Sequence, residues 1–220
     1  MKKYLLISLM LCVLPAQSHS IKPSTGLLFG YASDFLEEAI EGYPHTEFNN
    51  SNVLGLSIMI PIERGRGLEL LVERYEQQLV EWAESELDYG KLKSNPFLLL
   101  FKYYTIPKQN KGLFLNFDIG AGVNVSSFEK GNFFKQFEQM FPDSAKWIMS
   151  TDASPIFEIG LGIGYFLSRH VSVSFDCKIM INKVRTYWTL KNLQTNESDT
   201  IKEELNASTY QPMLALRYWF

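Results

Sequence analysis

Apolar and polar residues alternate with a period of two along eight separate stretches of this chain. The clearest covers residues 113–126: Leu113, Leu115, Phe117, Ile119, Ala121, Val123 and Val125 share one face, and Asn116, Asp118, Gly120, Gly122 and Asn124 share the other. Residues 156–167 repeat the pattern, with Phe157, Ile159, Leu161, Ile163 and Tyr165 against Glu158, Gly160, Gly162 and Gly164. From Val171 onward, Val173, Phe175, Cys177, Ile179 and Ile181 alternate with Ser172, Ser174, Asp176, Lys178, Met180 and Asn182. The last eleven residues put Tyr210, Pro212, Leu214, Leu216, Tyr218 and Phe220 opposite Gln211, Met213, Ala215, Arg217 and Trp219. Weaker copies lie at 26–34, 52–61, 68–82 and 93–104, where Glu69, Glu73 and Lys102 fall on the polar face. Successive side chains of a strand point to opposite faces, so this period predicts strands and excludes helices.

The spacers alternate as well. Connections at 63–67, 106–112 and 168–170 are short and polar, and those at 35–51, 83–92, 127–155 and 190–205 are long. Short turns on one rim and long loops on the other describe an eight-stranded antiparallel up-and-down transmembrane β-barrel, all-β, with periplasmic turns and extracellular loops. A soluble barrel would carry its apolar residues inside. Here the face rich in Asp, Glu, Lys, Arg and Gly is the predicted lumen, and a narrow eight-stranded lumen needs small side chains at intervals. A half-buried edge strand of a soluble sandwich is the competing reading of the C-terminal segment.

The N-terminus fits export. Met1-Lys2-Lys3 precedes an apolar run from Tyr4 to Pro15 and small residues at 16–20. The run is too short for a ~30 Å hydrocarbon core and predicts a signal peptide over 1–20, leaving 21–220 as the barrel domain. Removal of Lys2 and Lys3 from 21 basic residues leaves 19 against 24 acidic, a net charge of −5 that gives nucleic acid nothing to bind. Cys177 is then the only cysteine, so no internal disulfide holds the fold. Cysteines and histidines are scattered, which predicts no metal site, and no cofactor motif is present. His45 and His170 fall at opposite rims, which argues against an enzyme. A site built from His45 with Ser126 or Ser127 on the loop side stays open at this point.

Two groups of residues are candidates for function. Glu69, Glu73, Lys102, Asp118, Glu158, Asp176, Lys178 and Arg217 point into the lumen, where opposite charges must pair because an unpaired buried charge costs several kcal/mol. The last four strands are neighbours, so the charges they carry can form a ladder. Phe133, Phe134, Phe137, Met140 and Phe141 recur at helical spacing before Pro142 and predict a short amphipathic helix, either capping the rim or closing over an apolar cleft. Trp82, Trp147, Tyr187 and Trp188 near strand ends suggest an interfacial aromatic girdle.

Gly67-Leu-Glu-Leu-Leu71, Asn95-Pro96, Tyr103-Tyr104, Phe117-Asp-Ile-Gly-Ala-Gly-Val-Asn124 followed by Phe128, and Gly160-Leu-Gly-Ile-Gly-Tyr165 resemble successive blocks of the OmpW family of outer-membrane barrels. The chain has one proline where that family often has two, and no histidine near Tyr75. The resemblance implies a protein of the Gram-negative outer membrane that binds or passes small hydrophobic molecules. Lipid and lipopolysaccharide would surround it. The C-terminal aromatics Tyr218 and Phe220 resemble the signal read by the barrel assembly machinery. The competing function is a structural or surface-interaction protein without transport.

Overall fold

A computed structural model describes residues 22–34, 40, 46–63, 65–82, 86–105 and 111–220. The predicted signal peptide, His45, the turn at 106–110 and the side chain of Trp82 lie outside the described residues. The elements are β1 (Ser24–Asp34), β2 (Thr46–Asn49), β3 (Ser51–Glu63), β4 (Arg66–Trp82), β5 (Glu86–Tyr104), β6 (Gly112–Lys130), α1 (Asn132–Met140), β7 (Ala145–Thr151), β8 (Ser154–Phe166), β9 (Val171–Asn192), β10 (Ser198–Asn206) and β11 (Thr209–Trp219).

Eight of the strands close on themselves. The antiparallel order runs β1-β3-β4-β5-β6-β8-β9-β11, and β11 returns to β1 with Leu27 opposite Leu216 and Ser24 opposite Trp219. The final strand therefore closes the wall, as its continuous apolar face predicted. Closure leaves no unpaired edge in the wall, the condition for crossing hydrocarbon with strands. No described helix is long and apolar enough to cross a membrane.

The outward set is the alternating apolar set. Leu54, Leu56, Ile58, Ile60 and Ile62 on β3 are each more than half exposed, and Leu113, Leu115, Ile119 and Val123 on β6 are about half exposed or more. Polar residues bound this belt above, with Arg74, Lys93 and Lys183 on the outer face. Nine residues of β3 fit the ~25 Å apolar band of a transmembrane barrel. Sealed in lipid rather than water, these side chains are not a surface defect but the buried face of the fold.

Two long connections are shorter than the sequence predicts. The segment 83–92 is mostly strand, because β4 and β5 stay paired up to Trp82 and Glu86. The segment 190–205 is also mostly strand: β9 runs on to Asn192, turns through Asn196 at φ 59°, and returns as β10. The loop side is therefore a sheet extension, with β7 and β10 flanking the upper half of β9 and β2 flanking the upper half of β4. Alternation fades there because one face meets water instead of lipid, so the apolar signal drops. A bulge adds to this: Leu79 pairs with Gly90 and Val80 with Asp88, which leaves Tyr89 unpaired and shifts the period by one. Gly90, at φ 140°, supplies the backbone that the bulge requires.

Candidate functional site

Inside the wall the side chains stack in tiers. At the turn end, Met59, Tyr104, Phe114, Phe166 and Trp219 form an aromatic floor. Glycines on β8 make room for what crosses above it. A Cβ on Gly164 would strike the Phe114 ring, one on Gly162 the Asp176 carboxylate, and one on Gly160 the Asp118 carboxylate. Three glycines at a spacing of two are thus one side of a lumen filled from β6 and β9.

The charged tier is next. All eight predicted lumen charges are buried. Lys102 Nζ lies 2.7 Å from Glu69 Oε2 and 3.1 Å from Asp118 Oδ2, while Arg217 Nη1 lies 2.6 Å from Glu69 Oε1. Lys178 Nζ sits 3.0 Å from both Glu73 Oε1 and Glu158 Oε1. Asp176 has no ion pair among the described residues; it accepts from Asn116 Nδ2 at 2.8 Å and from Ser174 Oγ at 3.3 Å. Of the expected ladder along the last four strands, the Lys178–Glu158 rung forms; the charges gather in two knots, tied across the lumen to β4 by Arg217–Glu69 and Lys178–Glu73. Lys102 meets Glu69 and Asp118 on the strands beside it, while Arg217 and Lys178 are long enough to span a narrow barrel and reach Glu69 and Glu73 on β4. The tier blocks the axial path.

An apolar cluster with Leu28, Leu71, Leu98, Leu100 and Met213 packs against the charges, with Leu71 between Glu69 and Glu73 on β4, and a polar tier follows. In the polar tier Asn182 Oδ1 accepts from Ser154 Oγ at 2.8 Å, and Gln211 Nε2 donates to Thr209 Oγ1 at 3.0 Å.

The uppermost tier is an apolar chamber. Phe48, Leu79, Leu92, Phe128, Phe134, Val184, Trp188 and Leu205 are buried there, with Tyr89, Trp147 and Met149 packed against them. α1 roofs it. Its first amide, on Asn132, donates to Asp88 Oδ2 at 3.1 Å, which supplies the cap that the helix lacks in its own sequence. Its Glu138 Oε1 accepts from Lys130 Nζ at 2.6 Å and from the Trp147 amide at 2.7 Å. Burial raises the Glu138 carboxyl, but these two hydrogen bonds outweigh it and hold the group below its ordinary range. Phe134 drops from the helix into the chamber, 5.2 Å from Trp147 and 5.6 Å from Trp188 between ring centres.

The predicted lid is therefore one residue deep. Phe134 is buried, Phe133 leans on Tyr89 and is part-exposed, and Phe137 packs on Phe141 and Trp147. Met140 and Phe141 point away from the chamber and are exposed, because α1 lies along the rim and only one stripe faces inward. Trp147 and Trp188 do not form a girdle. The inward register of β7 and β9 turns both into the chamber, while Tyr187 stays outside and donates to Asp152 at 2.7 Å. Of the open catalytic reading, Ser126 is near the loop side and His170 sits at the turn side with Nδ1 2.8 Å from the Trp219 carbonyl. Tyr218 and Phe220 project outward from the closing strand. Asp88 and Glu138 carried no alternation signal; only their nearness in sequence to the helix hinted at a role.

The chain superposes on the outer membrane protein OprG of Pseudomonas aeruginosa with a TM-score of 0.66 at 15% identity, over 94% of this chain and 99% of that one. It folds as an outer-membrane β-barrel. The outer membrane protein AlkL in lipid bilayers matches with a TM-score of 0.53 at 16% identity over 94% of each chain. The Escherichia coli outer membrane protein W matches at 0.47 and 16% identity, over 92% of this chain and 100% of that one. No protein-family model and no curated protein matches the chain in sequence. At these identities the likeness carries the fold and not the cargo. The expected eight-stranded outer-membrane barrel architecture is met, and the apolar belt suits a barrel wall that faces lipid.

Proposed function

We propose that this barrel takes up small hydrophobic molecules at its extracellular mouth and releases them sideways into the outer membrane. One observation carries the reading: an aromatic chamber lies under a single helix and is filled by one side chain of that helix, Phe134, above a lumen packed with buried, paired charge. A polar solute gains nothing from such a chamber, whereas an apolar one gains roughly 25 cal/mol for each Å² it removes from water. Phe134 occupies the space a ligand would use, so uptake replaces Phe134 by the ligand.

Two weak seams support lateral release. Pairing between β4 and β5 lapses at Asn95-Pro96, and pairing between β1 and β11 lapses at Gln211-Pro212. Proline has no N–H to give a ladder, so each seam opens at lower cost than its neighbours. Around the belt we assign Arg74, Lys93, Lys183 and Arg185 to lipopolysaccharide phosphates, and Tyr218 with Phe220 to the barrel assembly machinery. The surface-interaction reading has one observation in its favour, the exposed apolar tip of Met140, Phe141, Ile148 and Leu193.

Displacement of N-phenyl-1-naphthylamine from the full barrel in lipid nanodiscs tests uptake. Saturable binding beyond that of empty nanodiscs, tighter in Phe134→Ala than in the parent, is expected. Binding that never saturates, in either protein, overturns the reading.

A further inference from the structure

Three polar side chains at the chamber have no hydrogen-bond partner among the described residues. Trp188 is 9% exposed and its Nε1–H meets no acceptor among the described residues. Trp147 Nε1 is in the same condition. Gln77 is fully buried, and neither its Nε2 nor its Oε1 is hydrogen-bonded among the described residues. The two indoles stand on adjacent strands: Trp147 pairs with Leu190 and Met149 with Trp188, so the rings are diagonal neighbours on one inward face. Both lie edge-on to the Phe134 ring. Gln77 sits at the chamber's base, opposite Leu92 in the wall. Tyr89 differs from them, since its hydroxyl is bonded to Glu81.

An unsatisfied buried donor costs about 1–3 kcal/mol, and three around one chamber are uncommon in a packed interior. Donors left open toward a space that a mobile ring fills are matched by acceptors that arrive with a ligand. The donors are neutral. Lys130, the cation just before α1, is already held by Glu138 at 2.6 Å and by the Trp147 carbonyl at 3.1 Å. The described lining of the chamber carries no cation, so a carboxylate would enter it without a counter-charge, which low-dielectric surroundings penalise heavily.

We propose that the chamber selects apolar molecules bearing one uncharged hydrogen-bond acceptor, such as the carbonyl of an ester or ketone, over bare hydrocarbons and over fatty anions. The apolar chain takes the place of the Phe134 ring, and the acceptor meets the indole N–H of Trp188, with Trp147 and Gln77 as the flanking donors. This rests on the uptake reading above, and it adds the class of molecule and the residues that sort it.

The test uses the full barrel in lipid nanodiscs with ¹⁵N-labelled indoles. The chain has four tryptophans, and the Trp219 indole is already bonded to Ser172 Oγ at 2.8 Å, so it serves as an internal reference. Methyl decanoate, decane and decanoate are titrated separately. The expected result is a saturable downfield shift of the Trp188 and Trp147 N–H signals with methyl decanoate and no shift at Trp219. Methyl decanoate should bind about tenfold tighter than decane or decanoate, the factor that one such hydrogen bond supplies. Trp188→Phe and Gln77→Leu, each checked for folding by gel mobility, should bring the ester toward decane and leave decane unchanged. Equal affinity of ester and decane without an indole shift overturns the selection and leaves uptake standing. Tightest binding of decanoate overturns the neutral-acceptor claim. Saturable binding of none of the three overturns uptake and the selection together.

Discussion

Lys178→Met puts the charged tier under the heaviest load. The ammonium is buried with Glu73 Oε1 and Glu158 Oε1 each at 3.0 Å, and both carboxylates are buried too. Each contact is gross Coulomb attraction of about 5 kcal/mol at an effective dielectric of ~20. Desolvation offsets most of that in the parent. In the variant the desolvation remains, the attraction is gone, and two carboxylates face each other. Breaking a buried pair in this way costs about 3–5 kcal/mol. The double contact puts Lys178→Met at the upper end. The assay is urea unfolding in detergent micelles, followed by tryptophan emission and by the mobility difference between folded and heated protein on a gel. Two companions sharpen it. Glu73→Gln/Lys178→Met/Glu158→Gln removes every charge of the knot and should recover most of the loss. Lys183→Met, whose partner Glu204 lies 3.2 Å away at a largely exposed site, should cost no more than about 1 kcal/mol. A Lys178→Met barrel within about 1 kcal/mol of the parent, or a triple variant no better than the single one, would refute the pairing argument.

Three further outcomes follow from the same geometry. Glu138 holds α1 down through a carboxyl kept below its ordinary range, so its contribution is full above the ordinary carboxylate range and is lost as pH falls through the lowered value. Amide exchange across Asn132–Met140 should therefore accelerate on acidification, and Glu138→Gln should remove that pH dependence. Gly162→Ala sets a methyl against Asp176 and 2.6 Å from Asn116 Nδ2, and should cost about 1–3 kcal/mol in the same unfolding assay. Ile58→Arg charges the middle of the apolar belt and should cost about 2–4 kcal/mol in a bilayer, whereas Asn52→Arg above the belt should be near neutral.

The wall was legible in the sequence because each face of each strand meets one uniform solvent. Lipid outside and a packed polar lumen inside imprint a strict period, as from Leu113 to Val125, and all eight charges of that inner face are buried. Strand alternation says which way Glu69 points but not what it meets. Its partners Lys102 and Arg217 are fixed by register and by the width of the barrel, which only closure determines. Above the belt the signal fails for a physical reason: the hairpins leave lipid, the Tyr89 bulge shifts the period, and aromatic residues no longer mark the outside. Trp147 and Trp188 read as interfacial for that reason, although they line the chamber. The helix was legible from its aromatic spacing. Its docking was not, because Asp88 and Lys130 reach it from the paired ends of β5 and β6.

The central claim is that β3 and its fellows face lipid with their apolar side and a sealed lumen with the other. Nitroxide labels placed one at a time from Asn52 to Ile62, on the barrel in lipid bilayers, read that assignment directly through oxygen accessibility. High accessibility at Leu54, Leu56, Ile58 and Ile60, alternating with low accessibility at Gly55, Ser57 and Met59, is the predicted result. The opposite phase, or no alternation along the strand, would contradict the account.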